Sequence, residues 1–204
     1  MKLSEDIPGI IHVEMPSQLE LAQLFVRFQE HYESPEFRGE VFTLGQFRTW
    51  YAKQFNGFTY YEDWTGFNVP SEALCPFRTG IFDPLTAEEQ KLLTMIPDRL
   101  EPYYVIGTFG SNSALDHEIC HGLYFIDDKY RNDVNKVILR NMSKLKDLEK
   151  HLLKLGYCEE VIVDECHAYI CEDTDYLDRQ GVKYPPIKKE LKAIKKDALR
   201  RRKK

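Results

Sequence analysis

The sequence predicts an α+β fold with a small mixed sheet and a helical C-terminal part. Over most of the chain, apolar residues recur at the three- and four-residue spacing of amphipathic helices. A few short segments, of which 103–109 (YYVIGTF) is the clearest, have the β-branched and aromatic composition of strands. Glycine, proline and helix-capping residues punctuate these segments and place the element boundaries.

The first 100 residues are predicted to form an aromatic-rich lobe packed on the rest of the chain. A helix over 17–32 starts at the potential N-cap Ser17, and a second is expected over 44–54. Thr86 and Glu89 form a capping box that begins a short helix ending near Ile96. Eight aromatic residues between these helices form either a substrate pocket or ordinary core: Trp50, Tyr51, Phe55, Phe58, Tyr60, Tyr61, Trp64 and Phe67.

Residues 101–187 are predicted to form a second unit. The strand 103–109 is followed by the capping segment 111–113 (SNS) and by a helix with an apolar stripe of Leu115, Ile119 and Leu123. A long helix is expected over 129–155, ended by Gly156 as a C-terminal cap. A last helix is expected from about residue 159.

Charge is distributed unevenly along the chain. The net charge is −5, but residues 188–204 carry ten Lys or Arg against two acidic residues, so this basic tail is +8 and the remaining 187 residues sum to −13. An acidic body is a poor platform for nucleic acid, because phosphates must be neutralised over a continuous basic surface. We expect a solvated, partly helical tail, whose possible partners are an acidic protein, RNA or an anionic lipid surface.

The N-terminal residues and the cysteines predict a cytoplasmic protein. The first 18 residues are acidic where a secretory signal is basic and then apolar, and no stretch of roughly 18 apolar residues occurs. The five cysteines form an odd number without CxxC spacing, which favours reduced thiols over disulfides.

The residues with the clearest chemical meaning are 117–121, His-Glu-Ile-Cys-His. Two histidines four residues apart lie on one face of a helix, so both imidazoles can bind one metal ion. Glu118 points about 100° around the helix from His117 and is placed to act as a general base. Zn²⁺ held by three protein ligands keeps one position open for a water molecule, which it activates at neutral pH.

Three residues compete for the place of third ligand, of which Asp128 is the weakest candidate. Asp127 lies six residues after His121, at the spacing of the HExxHxxGxxH pattern, but Tyr124 stands where that pattern has a glycine to turn the chain. Glu165 lies in 163–169 (VDECHAY), on a separate predicted helix that the helix 129–155 can return to the histidines. The second arrangement fits the sequence better, and the first stays open.

HEICHG followed about 44 residues later by DECHAY resembles the gluzincin group of zinc peptidases, in which a glutamate in a DExxA or NExxA motif completes the site. The resemblance covers residues 103–176 and implies a zincin-like fold. It implies that His117, His121 and Glu165 bind Zn²⁺ and that Glu118 is the catalytic base. It places the small Ala168 where two helices approach, and Asp164 either behind a histidine or exposed at a helix start.

The resemblance also raises two points that the residues leave open. In zincin folds an edge strand beside the active helix pairs with the substrate backbone, so 103–109 is either that strand or a core strand. Such peptidases have a side chain that stabilises the oxyanion, and four tyrosines are candidates here: Tyr124, Tyr169, Tyr176 and Tyr184. His167 faces away from Glu165 on a helix and is expected to be structural.

The function predicted is a zinc-dependent hydrolase, specifically a metallopeptidase acting on a peptide or protein substrate. The alternative is a catalytically silent, zinc-containing adaptor that docks through its basic tail. Glu118 separates the two, because a structural zinc site needs no base and usually has four protein ligands. Hydrolysis of a non-peptide amide is a third possibility.

Overall fold

The computed structural model describes residues 1–96, 98–110 and 114–203 and contains a four-stranded mixed sheet. The strands are β1 (Lys2–Ile7), β2 (Ile10–Met15), β3 (Gly66–Pro70) and β4 (Tyr104–Phe109). Their order across the sheet is β1-β2-β4-β3. β2 and β4 run parallel, and β1 and β3 pair antiparallel at the two edges. The α+β class with a small mixed sheet is therefore confirmed.

Helices cover both faces of this sheet. One face carries the N-terminal helices α1 (Gln18–Glu33), α2 (Leu44–Phe55), α3 (Tyr60–Asp63), α4 (Ser71–Arg78) and α5 (Ala87–Met95). The other carries α6 (Leu115–Ile126), α7 (Asp128–Leu139), α8 (Met142–Leu155), α9 (Ile162–Glu172), α10 (Thr174–Arg179) and α11 (Lys188–Arg202). Alternate strand residues supply the two cores: Val105 faces α1, whereas Tyr104 and Ile106 face α6.

The first 100 residues are joined to the rest of the chain through the sheet. They provide β1, β2 and β3, and β4 pairs with both β2 and β3. The interpretation of 103–109 as an edge strand is therefore wrong, because β4 lies inside the sheet with its hydrogen-bonding groups satisfied by two neighbours. Several of the predicted aromatic residues are core, among them Tyr60 and Phe67.

Helix starts agree with the sequence wherever capping chemistry marks them. Ser17 accepts a hydrogen bond from the backbone of Glu20, and Thr86 and Glu89 form the expected capping box. The predicted cap 111–113 lies outside the described residues. The helix expected over 129–155 is two helices, because the chain breaks at Arg140 and Asn141, where the Asn141 side chain donates to the Val137 carbonyl.

The prediction of a solvated basic tail is wrong. Residues 188–202 form α11, which packs on α6, α7 and α9 and buries Leu191, Lys195 and Ala198. Lys195 donates to the Asp116 carbonyl and to Glu172 Oε1, each over 2.7 Å. The apolar residues follow helical spacing, and the buried lysine is acceptable because its ammonium group donates two hydrogen bonds, one of them to a carboxylate.

Two expectations from the sequence concern the cysteines and membrane-spanning helices. All five cysteines are free thiols. Among the described helices, none combines the length and apolarity that crossing a bilayer requires.

Candidate functional site

The two helices α6 and α9 pack together and bring the three predicted ligands to one place. His117 and His121 lie one turn apart on α6, with their Nε2 atoms 3.0 Å from each other. Glu165, on α9, places Oε1 3.6 Å from His121 Nε2 and Oε2 3.9 Å from His117 Nε2. Ala168 is fully buried one turn further along α9. The donor atoms of all three residues lie within 4.8 Å of one another.

The acids behind the histidines fix which ring nitrogen faces the cluster. His121 Nδ1 lies 2.9 Å from Asp164 Oδ2, and His117 Nδ1 is hydrogen-bonded to Asp173. A carboxylate only accepts hydrogen bonds, so each Nδ1 donates and each neutral ring turns the lone pair of Nε2 inward. The sequence suggested for Asp164 a position behind a histidine, but it did not indicate the same role for Asp173.

These contacts also control the basicity of the imidazoles. Burial disfavours the charged form of both rings, but Asp173 raises the pKa of His117 above its ordinary value. Asp164 and then Glu165 raise the pKa of His121 in the same way against the effect of burial. The His121 imidazole in turn holds the pKa of Asp164 below its usual range despite burial. More basic imidazoles are stronger ligands for a cation.

The cluster has a donor set that could hold a metal ion. The Nε2 atoms of His117 and His121 lie 3.0 Å apart, so when both rings are neutral with Nδ1 protonated, the two nitrogens face each other as acceptors and can share one cation. Glu165 is only 4% exposed, and its Oε2 has no hydrogen-bond partner within the described residues. Burial raises the pKa of the Glu165 carboxyl, and the nearby imidazoles of His121 and His117 oppose this only in part. Two imidazole nitrogens and one carboxylate form a donor set that suits zinc.

Glu118 lies beside this cluster and outside it. Its Oε2 accepts a hydrogen bond of 2.6 Å from Asn68 Nδ2, on β3, and Asn68 Oδ1 accepts one from the Tyr104 hydroxyl, on β4. Gly66 makes room for the other oxygen, because a Cβ at that position would lie 2.6 Å from Glu118 Oε1. The sheet therefore holds a carboxylate next to the three donors without making it a fourth.

A cleft of about 490 Å³ opens over the site. It is lined by His117 and Glu118, by Asp173, and by the rings of Tyr157, Tyr169 and Tyr176. Of the four tyrosines considered from the sequence, Tyr169 and Tyr176 line this cleft, and Tyr157 was missed. Tyr124 bonds to Asn135, and Tyr184 bonds to Asp178.

Two other residues weighed from the sequence have structural roles. Asp127 caps the start of α7 by accepting from the Tyr130 backbone over 2.9 Å, and it pairs with Arg201 on α11 at the same distance. It is therefore not with the histidines. His167 is fully buried, with Nδ1 3.0 Å from Asp164 and Nε2 3.1 Å from the Tyr130 hydroxyl, as expected for a structural histidine.

No family model matches the chain, and no curated protein or solved structure matches it significantly.

The residues around the candidate centre define what chemistry it can support. Three donor residues converge, of which His121 and Glu165 are buried, two acids orient the imidazoles, and the Glu118 carboxylate faces an open cleft. This arrangement can hold a divalent cation and accept a proton next to it. Glu33, at the end of α1, also lies near the centre, which the sequence did not indicate. Burial raises the pKa of the Glu33 carboxyl, and the nearby carboxylates of Glu165 and Glu118 raise it further.

Proposed function

We propose that the protein is a zinc-dependent hydrolase that cleaves peptide bonds, with a zincin-like architecture similar to that of gluzincin peptidases. The observation that carries this proposal is the placement of Glu118. It stands beside the three convergent donors, is held by Asn68, and lines a cleft large enough for a substrate. A structural zinc site is usually closed by four protein ligands and has no need of a free carboxylate or a cleft.

In this proposal His117, His121 and Glu165 hold the zinc, which when bound polarises a carbonyl and activates water. Glu118 accepts a proton from the attacking water and delivers it to the leaving amine. Asn68 donates to one carboxylate oxygen and so leaves the other to take the proton. Asp164 and Asp173 keep the imidazoles in one tautomer and orientation.

The tyrosines of the cleft are placed to meet the developing negative charge on the substrate. Tyr169 packs edge-on against His117, with ring centroids 5.0 Å apart, and its hydroxyl lies 3.4 Å from that of Tyr157. A hydroxyl donor near the reacting carbonyl stabilises an oxyanion. The two tyrosines and Tyr176 are therefore the candidates for this role.

The test of the proposal is hydrolysis of a broad peptide library by the zinc-loaded protein and by Glu118→Gln. The amide preserves the size of the side chain, so zinc and fold should be retained while the rate falls by at least ~100-fold, the usual effect of losing a general base. Asp116→Asn, an exposed acid on the same helix, is the control and should cleave normally. Equal cleavage by wild type and Glu118→Gln would exclude this mechanism and favour the zinc-containing adaptor.

A further inference from the structure

A second cavity, which we call the side cavity, adjoins the cleft. Its volume is about 160 Å³, comparable to the ~150 Å³ cavity that admits a benzene molecule in an engineered protein. Trp64, Gly66, Leu155 and Tyr157 line both the cleft and the side cavity. A group that enters the side cavity therefore belongs to a molecule that can also reach Glu118.

The walls of the side cavity are mostly aromatic. Seven rings contribute to them: Trp50, Tyr51, Phe55, Tyr60, Trp64, Phe67 and Tyr157. At its mouth Phe55, Trp64 and Leu155 are 59%, 38% and 41% exposed, which is unusual for large apolar side chains that stand together. Such walls suit a long aliphatic stem, and their faces attract a cation.

The polar groups of the side cavity are acidic. Glu30 and Glu33, from the last turn of α1, line it, whereas no Lys or Arg does so among the described residues. The Gln29 side chain accepts from the Asn68 backbone over 3.0 Å and donates to Glu33, which keeps that carboxylate in place. Two carboxylates with no Lys or Arg among the described lining residues make this cavity a cation acceptor.

A buried hydroxyl in the wall lies beside one of the two acids. Tyr60 is 1% exposed and lines the side cavity, and its hydroxyl is close enough to the Glu30 carboxyl to lower the pKa of that group. Burial has the larger effect and raises the pKa of Glu30 to about 7, although Tyr60 and Ser34 act in the opposite direction. A carboxyl that is buried with no cation beside it has its pKa raised in this way.

We infer that the side cavity is a specificity site for the side chain of a lysine or arginine in the substrate. The stem lies between the aromatic walls, and the cationic head meets Glu30, Glu33 and the Tyr60 hydroxyl. This inference rests on the proposed function for its role in cleavage, since it assigns the substrates as peptides with a basic residue next to the scissile bond. The binding itself is measurable without turnover.

The chain carries its own probe for this site. Trp50 and Trp64 are its two tryptophans, and both line the side cavity. Tryptophan fluorescence of the full-length protein is titrated with Nα-acetyl-lysine methylamide and with the norleucine analogue, which lacks only the amine. The lysine compound should bind at least ~10-fold more tightly, as expected for charge-assisted hydrogen bonds. Equal affinities would overturn the inference.

Variants assign the effect to the acids. The double variant Glu30→Gln/Glu33→Gln should lose most of the preference for the lysine compound, whereas Glu36→Gln, an exposed acid just beyond α1, should keep it. A preference that survives in the double variant would overturn the assignment. The ammonium group that binds could belong to a lysine side chain or to the free amino terminus of a peptide. Leucine methylamide has only the free amino terminus, so tighter binding of this compound than of the lysine compound would overturn the side-chain assignment.

Cleavage assays then distinguish the site from the proposed function. The ratio of kcat/KM for peptides with lysine against norleucine, tested at each position flanking the scissile bond, should exceed ~10 at one position in wild type and fall in the double variant. Cleavage without any basic preference would leave the hydrolase standing and remove the specificity site. Binding of the lysine compound without cleavage of any peptide would support the binding site and overturn the proposed hydrolase.

Discussion

Single residues that are not themselves proposed ligands should determine how tightly the candidate centre binds a metal ion. Asp173 fixes the ring of His117 through Nδ1. In Asp173→Asn the amide can present its NH₂ group to Nδ1, and the ring can take the wrong tautomer. We expect the dissociation constant for zinc to rise by ~10- to 100-fold, measured by competition with a chromophoric chelator. Asp175→Asn, exposed on α10, is the control, and equal affinity of both variants would show that Asp173 is not needed.

Gly66 determines whether Glu118 can occupy its place. A methyl group there would lie 2.6 Å from Glu118 Oε1 and 3.1 Å from the Ala114 Cβ, so the carboxylate must move. Gly66→Ala should therefore keep the fold and lower kcat by ~10-fold or more, because a displaced base transfers a proton poorly. At Gly45 the added methyl group meets only Thr43 Oγ1 at 3.9 Å, and Gly45→Ala should be fully active. Full activity of Gly66→Ala would contradict the role given to Glu118.

Glu30, which lines the side cavity, should make the free energy of unfolding depend on pH. Its pKa is raised by burial from 4.5 to about 7, so between these pH values the folded chain binds more protons than the unfolded chain. The free energy of unfolding therefore falls as pH rises through this window. Glu30→Gln should remove that fall and stabilise the protein at pH 8 by up to about 3 kcal/mol, measured by urea unfolding at pH 5 and pH 8. A gain equal at both pH values would show that the carboxyl is not perturbed.

Among the elements, α11 carries the clearest structural consequence. It buries Leu191 on α6, α7 and α9, although its sequence is dominated by charge. Leu191→Ala should lower the free energy of unfolding by about 2–5 kcal/mol, the usual cost of emptying a core leucine site. Leu153→Ala, at a 40% exposed position on α8, should cost less than about 1 kcal/mol, and urea unfolding measures both variants. Similar small losses in both variants would mean that α11 does not hold the core together.

Local chemistry determined which elements could be predicted. The caps at Ser17 and Thr86 mark helix starts because the side chains satisfy backbone donors within four residues. β1 was missed because most of its residues are exposed, and the edge strand lacks a continuous apolar pattern. The break at Asn141 was missed because apolar residues continue in register across it. α11 was taken for a tail because the partners of Lys195 lie far away in sequence.

At the scale of the whole molecule, the candidate site is assembled from distant parts of the chain. The spacing of His117 and His121 is a property of one helix, so the sequence predicts it, and the DExxA-type motif predicts Glu165. Asn68 reaches Glu118 from β3, and Asp173 reaches His117 from the end of α9. These contacts exist only once the sheet has placed the two layers of helices, and no local spacing marks them.

The fold also explains how the two cavities come to be neighbours. β3 ends the sheet beside α6, and its first residue, Gly66, together with the preceding Trp64, lines both the cleft and the side cavity. The C-terminal turn of α1 supplies the acids of the side cavity from the opposite layer. Residues predicted to form an N-terminal lobe therefore contribute to the site itself. Asn68 holds the proposed base Glu118, and the aromatic segment forms a wall of the side cavity.

Elemental analysis of the chain purified without chelators shows whether His117, His121 and Glu165 bind one zinc ion. About one zinc per chain is expected in wild type and in His151→Ala, whose ring bonds to Tyr176 away from the centre. His117→Ala, His121→Ala and Glu165→Gln should lose most of it, because two remaining ligands hold zinc poorly. Absence of zinc from the wild type, or a full equivalent of zinc in His117→Ala, would contradict zinc binding by these three residues.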